Sequence, residues 1–144
     1  YGHGIAKVAR AALEAGASAL AVARTDEGAA LRQAGVTAPV LVLGASSDEE
    51  IAEGVRNELT LTVCTPEMVD TLESCAKDSG LTGLMHLKID TGMGRIGVRT
   101  EEEIRAILAR LQVSPHVRLT GAFTHFADAD GSDMAYTRMQ FERF

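Results

Sequence analysis

The stretch HLKIDTGMGRIG, His86 to Gly97, places a lysine inside an apolar, strand-like run and follows it with a glycine-rich turn that carries an arginine. Alternation along a strand sends Met85, Leu87 and Ile89 to one face and His86, Lys88 and Asp90 to the other. At a sheet edge, Lys88 and Asp90 read as a salt-bridged pair. In a barrel, the apolar set meets the helices and the polar set lines an interior normally filled by branched apolar side chains. A lysine there is costly unless it is paired or neutralised. The architecture around this strand therefore decides what Lys88 is for.

Working outward, strand and helix periods alternate. Ile5, Val8, Ala12 and Leu13 recur at helical spacing, with Gly16 as a stop. Ala19 to Ala23 is a short apolar run. Thr25 to Ala34 reads as a helix ended by Gly35, and Pro39 to Gly44 as a second strand. Ser47 with Glu50 forms a capping box that opens a helix from Asp48 to Asn57. Leu59 to Cys64 is a third strand. Thr65-Pro66 sets an N-cap before a proline in the first helical position, and Gly80 closes that helix. The fourth strand spans Leu84 to Ile89. Thr100 and Glu103 make another capping box, ahead of a helix face formed by Ile104, Ile107, Leu108 and Leu111. Val117 to Phe126 is a fifth strand, and a last helix starts at Ser132 or Asp133.

The order is one helix followed by five β/α units with short connections, which predicts a parallel sheet with helices outside it. A doubly wound open sheet and a (β/α)8 TIM-type barrel both fit. A complete barrel takes about 250 residues. The expectation for residues 1–144 is a partial barrel domain, with at least one strand before it and two after.

Composition excludes several classes. Apolar content is 46% and charged content 24%, as in a soluble globular protein. No apolar run approaches the ~20 residues of a membrane span, and no secretory leader is visible. Net charge is −6 with the basic residues scattered, which disfavours nucleic acid as a partner. Cys64 and Cys75 lack metal-ligand spacing and read as buried thiols in a reducing compartment. The expectation is a cytoplasmic protein without a metal site.

The chemistry gathers at the carboxyl ends of the strands, where barrels and open sheets place their sites. Gly92, Gly94 and Gly97 let the turn after the fourth strand approach another group closely. The fifth strand ends in Phe123-Thr124-His125-Phe126. Tyr1-Gly2-His3-Gly4 precedes a helix N-terminus, where backbone N–H groups and a tyrosine hydroxyl can hold a phosphate.

Taken together, YGHG before a helix, HLKIDTGMGRIG after a strand and GAFTHFADAD after the next resemble the alanine racemase family. The resemblance extends in order over the chain, including AVARTDEGAALRQAG and PVLVLG. It implies a pyridoxal-phosphate enzyme that interconverts L- and D-alanine for cell-wall synthesis. Tyr1 then gives its hydroxyl to the cofactor phosphate, and Leu43 and His125 lie against the cofactor. Lys88 matches a lysine often carbamylated in this family, a change that turns a cation into an anion. Arg95 pairs with that carbamate and reaches the cofactor phenolic oxygen and the substrate carboxylate, a double task suited to a planar fork of donors. Asp130 lies near the substrate entrance. The resemblance also implies a homodimer, with a catalytic tyrosine supplied by a second, C-terminal β domain of the partner subunit.

The family's cofactor lysine precedes the tyrosine of this motif by four residues. Its later phosphate-binding segment, the arginine facing the pyridine nitrogen and the catalytic tyrosine lie beyond the motifs matched here. Three rivals stand beside this reading: a serine or broad-specificity racemase of the same fold, a degenerate non-catalytic homologue, and an unrelated phosphate-binding open-sheet domain. The isolated 144-residue chain is expected to be prone to aggregation and inactive as a racemase. Turnover of alanine by the purified chain alone overturns that expectation.

Overall fold

The computed structural model describes residues 2–144, which run in the order α1 (Ile5–Glu14), β1 (Leu20–Val22), α2 (Thr25–Gln33), β2 (Val40–Val42), α3 (Asp48–Arg56), β3 (Thr60–Val63), α4 (Pro66–Ser79), β4 (Gly83–Lys88), α5 (Glu101–Leu111), β5 (Val117–Phe123) and α6 (Ala135–Arg143). Capping chemistry sets the helix starts where the sequence predicts them. Ser47 Oγ accepts the Glu50 N–H at 3.3 Å while Glu50 accepts the Ser47 N–H at 2.8 Å. Thr100 and Glu103 exchange the same two bonds at 3.2 and 3.0 Å. Thr65 Oγ1 takes the Met68 N–H ahead of Pro66. Each satisfies donors that a helix start would otherwise leave orphaned.

All five strands are parallel and lie in the order β1-β2-β3-β4-β5. A doubly wound sheet reverses its strand order at a switch point and carries helices on both faces. Here the order never reverses, and consecutive helices pack side by side from α1 to α5. The curved array is part of a (β/α) barrel. Val40, Val42, Leu61, Val63, Met85 and Leu87 turn outward into the core shared with Leu31, Ile51, Val55, Leu72 and Ile107 of the helices. The alternate residues Thr60, Thr62, His86 and Lys88 occupy the inner face. Thr62 is fully buried there and donates to Val42 O at 2.6 Å.

A bulge interrupts the last ladder. Met85 pairs with Leu119 but His86 pairs with Gly121, so Thr120 is an extra residue on β5. Beyond it, Gly121 and Phe123 share the inner face with His86 and Lys88. Strict alternation from Val117 would have put them on the helix side.

Some expected boundaries differ. β5 stops at Phe123 rather than Phe126, because Thr124 and His125 O bond away from the sheet. β4 stops at Lys88, although Ile89 N–H still donates to Phe123 O at 2.9 Å and Ile89 forms an isolated bridge to Val98. α6 begins at Ala135, since Asp133 first closes a turn by accepting the Ala135 N–H. On α1, Ile5 and Val8 are exposed and only Ala9 is buried, because this end helix has α2 as its one packed helix neighbour. Cys64 and Cys75 are free and half-buried rather than fully enclosed. Among the described residues, no helix is long and apolar enough to cross a membrane.

The amino-terminal ends of the strands are tied by charged side chains. Arg32 donates to four carbonyls: Asn57, Val36 and Ala38 at 2.9 Å each and Glu58 at 3.2 Å. Glu73 accepts the His116 N–H at 2.9 Å and lies 2.6 Å from His116 Nδ1. Burial pushes the Glu73 pKa up, but the His116 bonds and the charges of His116 and Lys77 outweigh it and hold it below the usual range. A carboxylate depressed in the folded state adds stability above its unfolded pKa and loses it as pH falls through the folded value. In the full-length protein, Glu73→Gln is expected to cost about 1–2 kcal/mol at neutral pH. Thermal melts against pH should show that difference closing below about pH 4; a constant difference down to pH 3 contradicts the assignment.

Candidate active site

After β4 the chain keeps one bond to β5, from Ile89 N–H to Phe123 O at 2.9 Å, then leaves the sheet and returns beside it at Val98. Asp90 N–H reaches Val98 O at 2.8 Å and Val98 N–H reaches Lys88 O at 3.0 Å. The intervening loop hangs on the Asp90 carboxylate. One oxygen accepts Gly92 N–H at 3.1 Å and Gly94 N–H at 2.9 Å. The other accepts Arg95 N–H at 3.1 Å and Arg99 Nε at 3.2 Å. Burial pushes the Asp90 pKa up; the Gly94 and Gly92 N–H bonds and the Arg99 guanidinium overcome it and hold the carboxyl below its usual range. Gly97 is required for the return: at φ 127, a Cβ would meet Asp90 N at 2.7 Å and Lys88 Cγ at 3.0 Å.

Two sequence expectations are corrected here. Asp90 does not continue the inner face of His86 and Lys88, because regular alternation ends with the strand and its side chain folds into its own loop. Nor do Lys88 and Asp90 form a salt bridge; the ion-pair partner of Asp90 is Arg99.

Lys88 is only 4% exposed. Its Nζ lies 4.3 Å from the centroid of the Phe123 ring, a cation–π contact, and among the described residues it has no ion-pair partner. Burial lowers its pKa, the Arg95 charge lowers it further, and Asp90 acts against both. Arg95 lies in the loop that follows, with its side chain exposed and its backbone held by Asp90. Beneath them, the His86 ring lies tilted to Phe123 at 6.4 Å between centroids, and burial lowers its pKa. Gly121 makes room for that ring, since a Cβ there would stand 2.8 Å from His86 Nε2.

Leu43 is 40% exposed just past β2, and His125 is exposed just past β5. They share the carboxyl rim with Lys88 and Arg95. Asp130 is exposed in the loop before α6. Tyr1 lies outside the described residues. The neighbouring α1 start is capped by Gly4 at φ 85 with no side-chain acceptor, unlike α3, α4 and α5.

Sequence reasoning missed the groups that hold this rim together. Gln140 of α6 is wholly buried, and it bonds Ala127 N, His125 O and Thr91 Oγ1. Thr91 Oγ1 in turn lies 2.8 Å from Thr124 Oγ1. No local signal marks them, because a polar residue in a helix without an apolar stripe reads as solvent-facing surface.

A parallel barrel array with a buried lysine and a loop-borne arginine at its carboxyl rim places this protein among (β/α) barrels with a polar site at the strand ends. The chain belongs to the alanine racemase family: the family model described as "Alanine racemase, N-terminal domain" matches residues 1–144. Alanine racemase 1 of Bacillus subtilis (strain 168) is 48% identical over 144 residues, covering 100% of this chain and 36% of that protein. The solved alanine racemase of Clostridium difficile 630 superposes with a TM-score of 0.94 at 40% identity, over 99% of this chain and 38% of its own. A second structure of that enzyme is a complex with cycloserine. A histidine racemase from Leuconostoc mesenteroides subsp. sake superposes with a TM-score of 0.91 at 28% identity, over 98% of this chain and 38% of its own. The chain therefore spans a little over a third of the length of the proteins it matches.

Asp90→Asn would set an amide NH2 against the Arg95 N–H or the Gly92 and Gly94 N–H groups, leaving buried donors opposed. The expected cost in the full-length protein is about 2–3 kcal/mol by denaturant unfolding. Arg99 is largely exposed, so Arg99→Met should cost less than about 1 kcal/mol. Equal costs for the two variants would show that the ion pair, and not the N–H bonds, holds the loop.

Proposed function

We propose that the protein containing this chain is a pyridoxal-phosphate-dependent alanine racemase, with residues 1–144 as part of its N-terminal barrel domain and a second, β-rich domain elsewhere in the protein. The observation that supports it most directly is Lys88, a buried amine over the Phe123 ring with no ion-pair partner among the described residues, followed by the glycine-rich loop that carries Arg95. The residues present suit the cofactor. The open start of α1 leaves N–H groups for a phosphate next to Tyr1. Leu43 offers an apolar contact, and His125 stands on the same rim. Bound pyridoxal phosphate supplies an electron sink for the Cα carbanion.

In this reading Lys88 acts as an anion. Burial lowers its pKa and so raises the share of neutral amine above that of a free lysine; the lone pair of that form attacks CO2, a C–N bond forms, a proton leaves to water and a carbamate remains. The carbamate gives the Arg95 guanidinium a charged partner in a partly dry site and orients its fork toward the cofactor oxygen and the substrate carboxylate. Asp90 keeps the Arg95 backbone in place. The partner subunit of a homodimer brings the second base. The cycloserine complex of the Clostridium enzyme suits an amino-acid-shaped ligand, and D-alanine for peptidoglycan in the cytoplasm is the physiological product. A second reading, a racemase for a different amino acid, is favoured by the likeness to a histidine racemase.

Full-length protein supplied with pyridoxal phosphate should bind it and racemise L-alanine faster than L-serine or L-histidine. Lys88→Met is expected to lower kcat by about a hundredfold and to abolish a carbamate resonance in carbon NMR with labelled bicarbonate. Preference for histidine or serine selects the second reading. Absence of cofactor binding overturns both.

A further inference from the structure

The buried positions of α6 are Thr137 and Gln140, while Phe141 and Tyr136 on the same helix are exposed. A helix that docks with its polar side must satisfy every group it buries. α6 does so: Tyr136 Oη donates to Gly92 O at 2.7 Å, Thr137 Oγ1 to Asp128 O at 2.8 Å and Arg143 Nη1 to Thr91 O at 3.4 Å. Among the described residues, no buried side-chain nitrogen or oxygen lacks a partner.

Gln140 sits at the centre. Its Oε1 accepts Ala127 N–H at 2.8 Å, and its Nε2 donates to His125 O at 3.1 Å and Thr91 Oγ1 at 3.2 Å. The amide orientation is fixed by its surroundings, because Ala127 N is only a donor and His125 O only an acceptor. One end of the amide therefore grips the segment after β5, and the other spans from that segment to the loop after β4. Those two segments carry His125 and Arg95. Besides Gln140, the Thr91–Thr124 hydroxyl pair joins them.

We propose that Gln140 is a positioning residue: its amide couples the Arg95 loop to the His125 segment and sets the width of the site between them. This rests on the racemase reading for what the site binds, but the coupling does not. Gln140→Met keeps the length of the side chain and removes all three bonds. Gln140→Glu keeps an acceptor for Ala127 N–H and loses the donor to Thr91 and His125 O. Thr137→Val is the control, since it removes a buried bond of the same helix that does not reach the Arg95 loop.

The test is amide hydrogen exchange on the full-length protein without cofactor, followed by visible circular dichroism after adding pyridoxal phosphate. In Gln140→Met, exchange is expected to rise about tenfold at residues 92–95 and at 127 together. Gln140→Glu should raise it at 92–95 while Ala127 stays protected. Thr137→Val should leave 92–95 as in the parent. The cofactor dichroism, which reports ring orientation, should change at least twofold in Gln140→Met and not in Thr137→Val. If Gln140→Met fails to fold, Gln140→Glu decides the matter alone. Unchanged exchange at 92–95 in the Gln140 variants, or an equal rise there in Thr137→Val, overturns the proposal. A parent protein that takes up no cofactor overturns the racemase reading instead, and the exchange data still decide the coupling.

Discussion

Four donors converge on the carboxylate of Asp90, and the rim of the barrel takes its form from that convergence. A loop this rich in glycine has much conformational entropy to lose on ordering. A buried charge-assisted acceptor is strong enough to offset that loss, because each N–H it gathers would otherwise face water or nothing. The same bonds turn the Asp90 carboxylate toward its own loop and Arg99. Lys88, two residues earlier, lies beside a phenyl ring and, among the described residues, forms no ion pair with that carboxylate.

The two ends of the array divide the labour. At the amino-terminal end, Arg32 and the Glu73–His116 pair close off carbonyls and N–H groups with internal partners. At the carboxyl end, Arg95, His125 and Leu43 keep exposed surface, and the internal bonds run behind them through Thr91, Thr124 and Gln140. Rigidity is placed behind the exposed groups of the rim rather than on them. That arrangement allows a site to be preorganised without burying its own functional atoms.

Much of this was legible in the sequence. The capping boxes at Ser47 and Thr100 and the Thr65-Pro66 pair act locally, so pattern alone located α3, α5 and α4. Strand–helix alternation gave parallel strands, though it could not choose between an open sheet and a barrel; the unreversed strand order did. The alternation argument worked for His86 and Lys88 and failed at Asp90, because it holds only while the chain stays in the ladder. Gln140 was invisible for a related reason. Its partners lie 13 to 49 residues away, and a polar residue in a helix without an apolar stripe looks like solvent-facing surface. The shortening of β5 has the same origin, since the bonds that pull Thr124 and His125 from the sheet are made to other segments.

The extra residue at Thr120 divides β5 into two halves of opposite parity. Val117 and Leu119 answer to the helices, whereas Gly121 and Phe123 answer to His86 and Lys88. Chain length in this strand therefore matters in a way that residue identity does not. Loss of Thr120 itself would straighten the strand and leave every side chain on its present face. Loss of Ala122 would swing Phe123 out of the interior and remove the ring beneath Lys88, although no residue that touches the lysine had been replaced. Among relatives, a gap of one position thus carries opposite meanings on the two sides of Gly121.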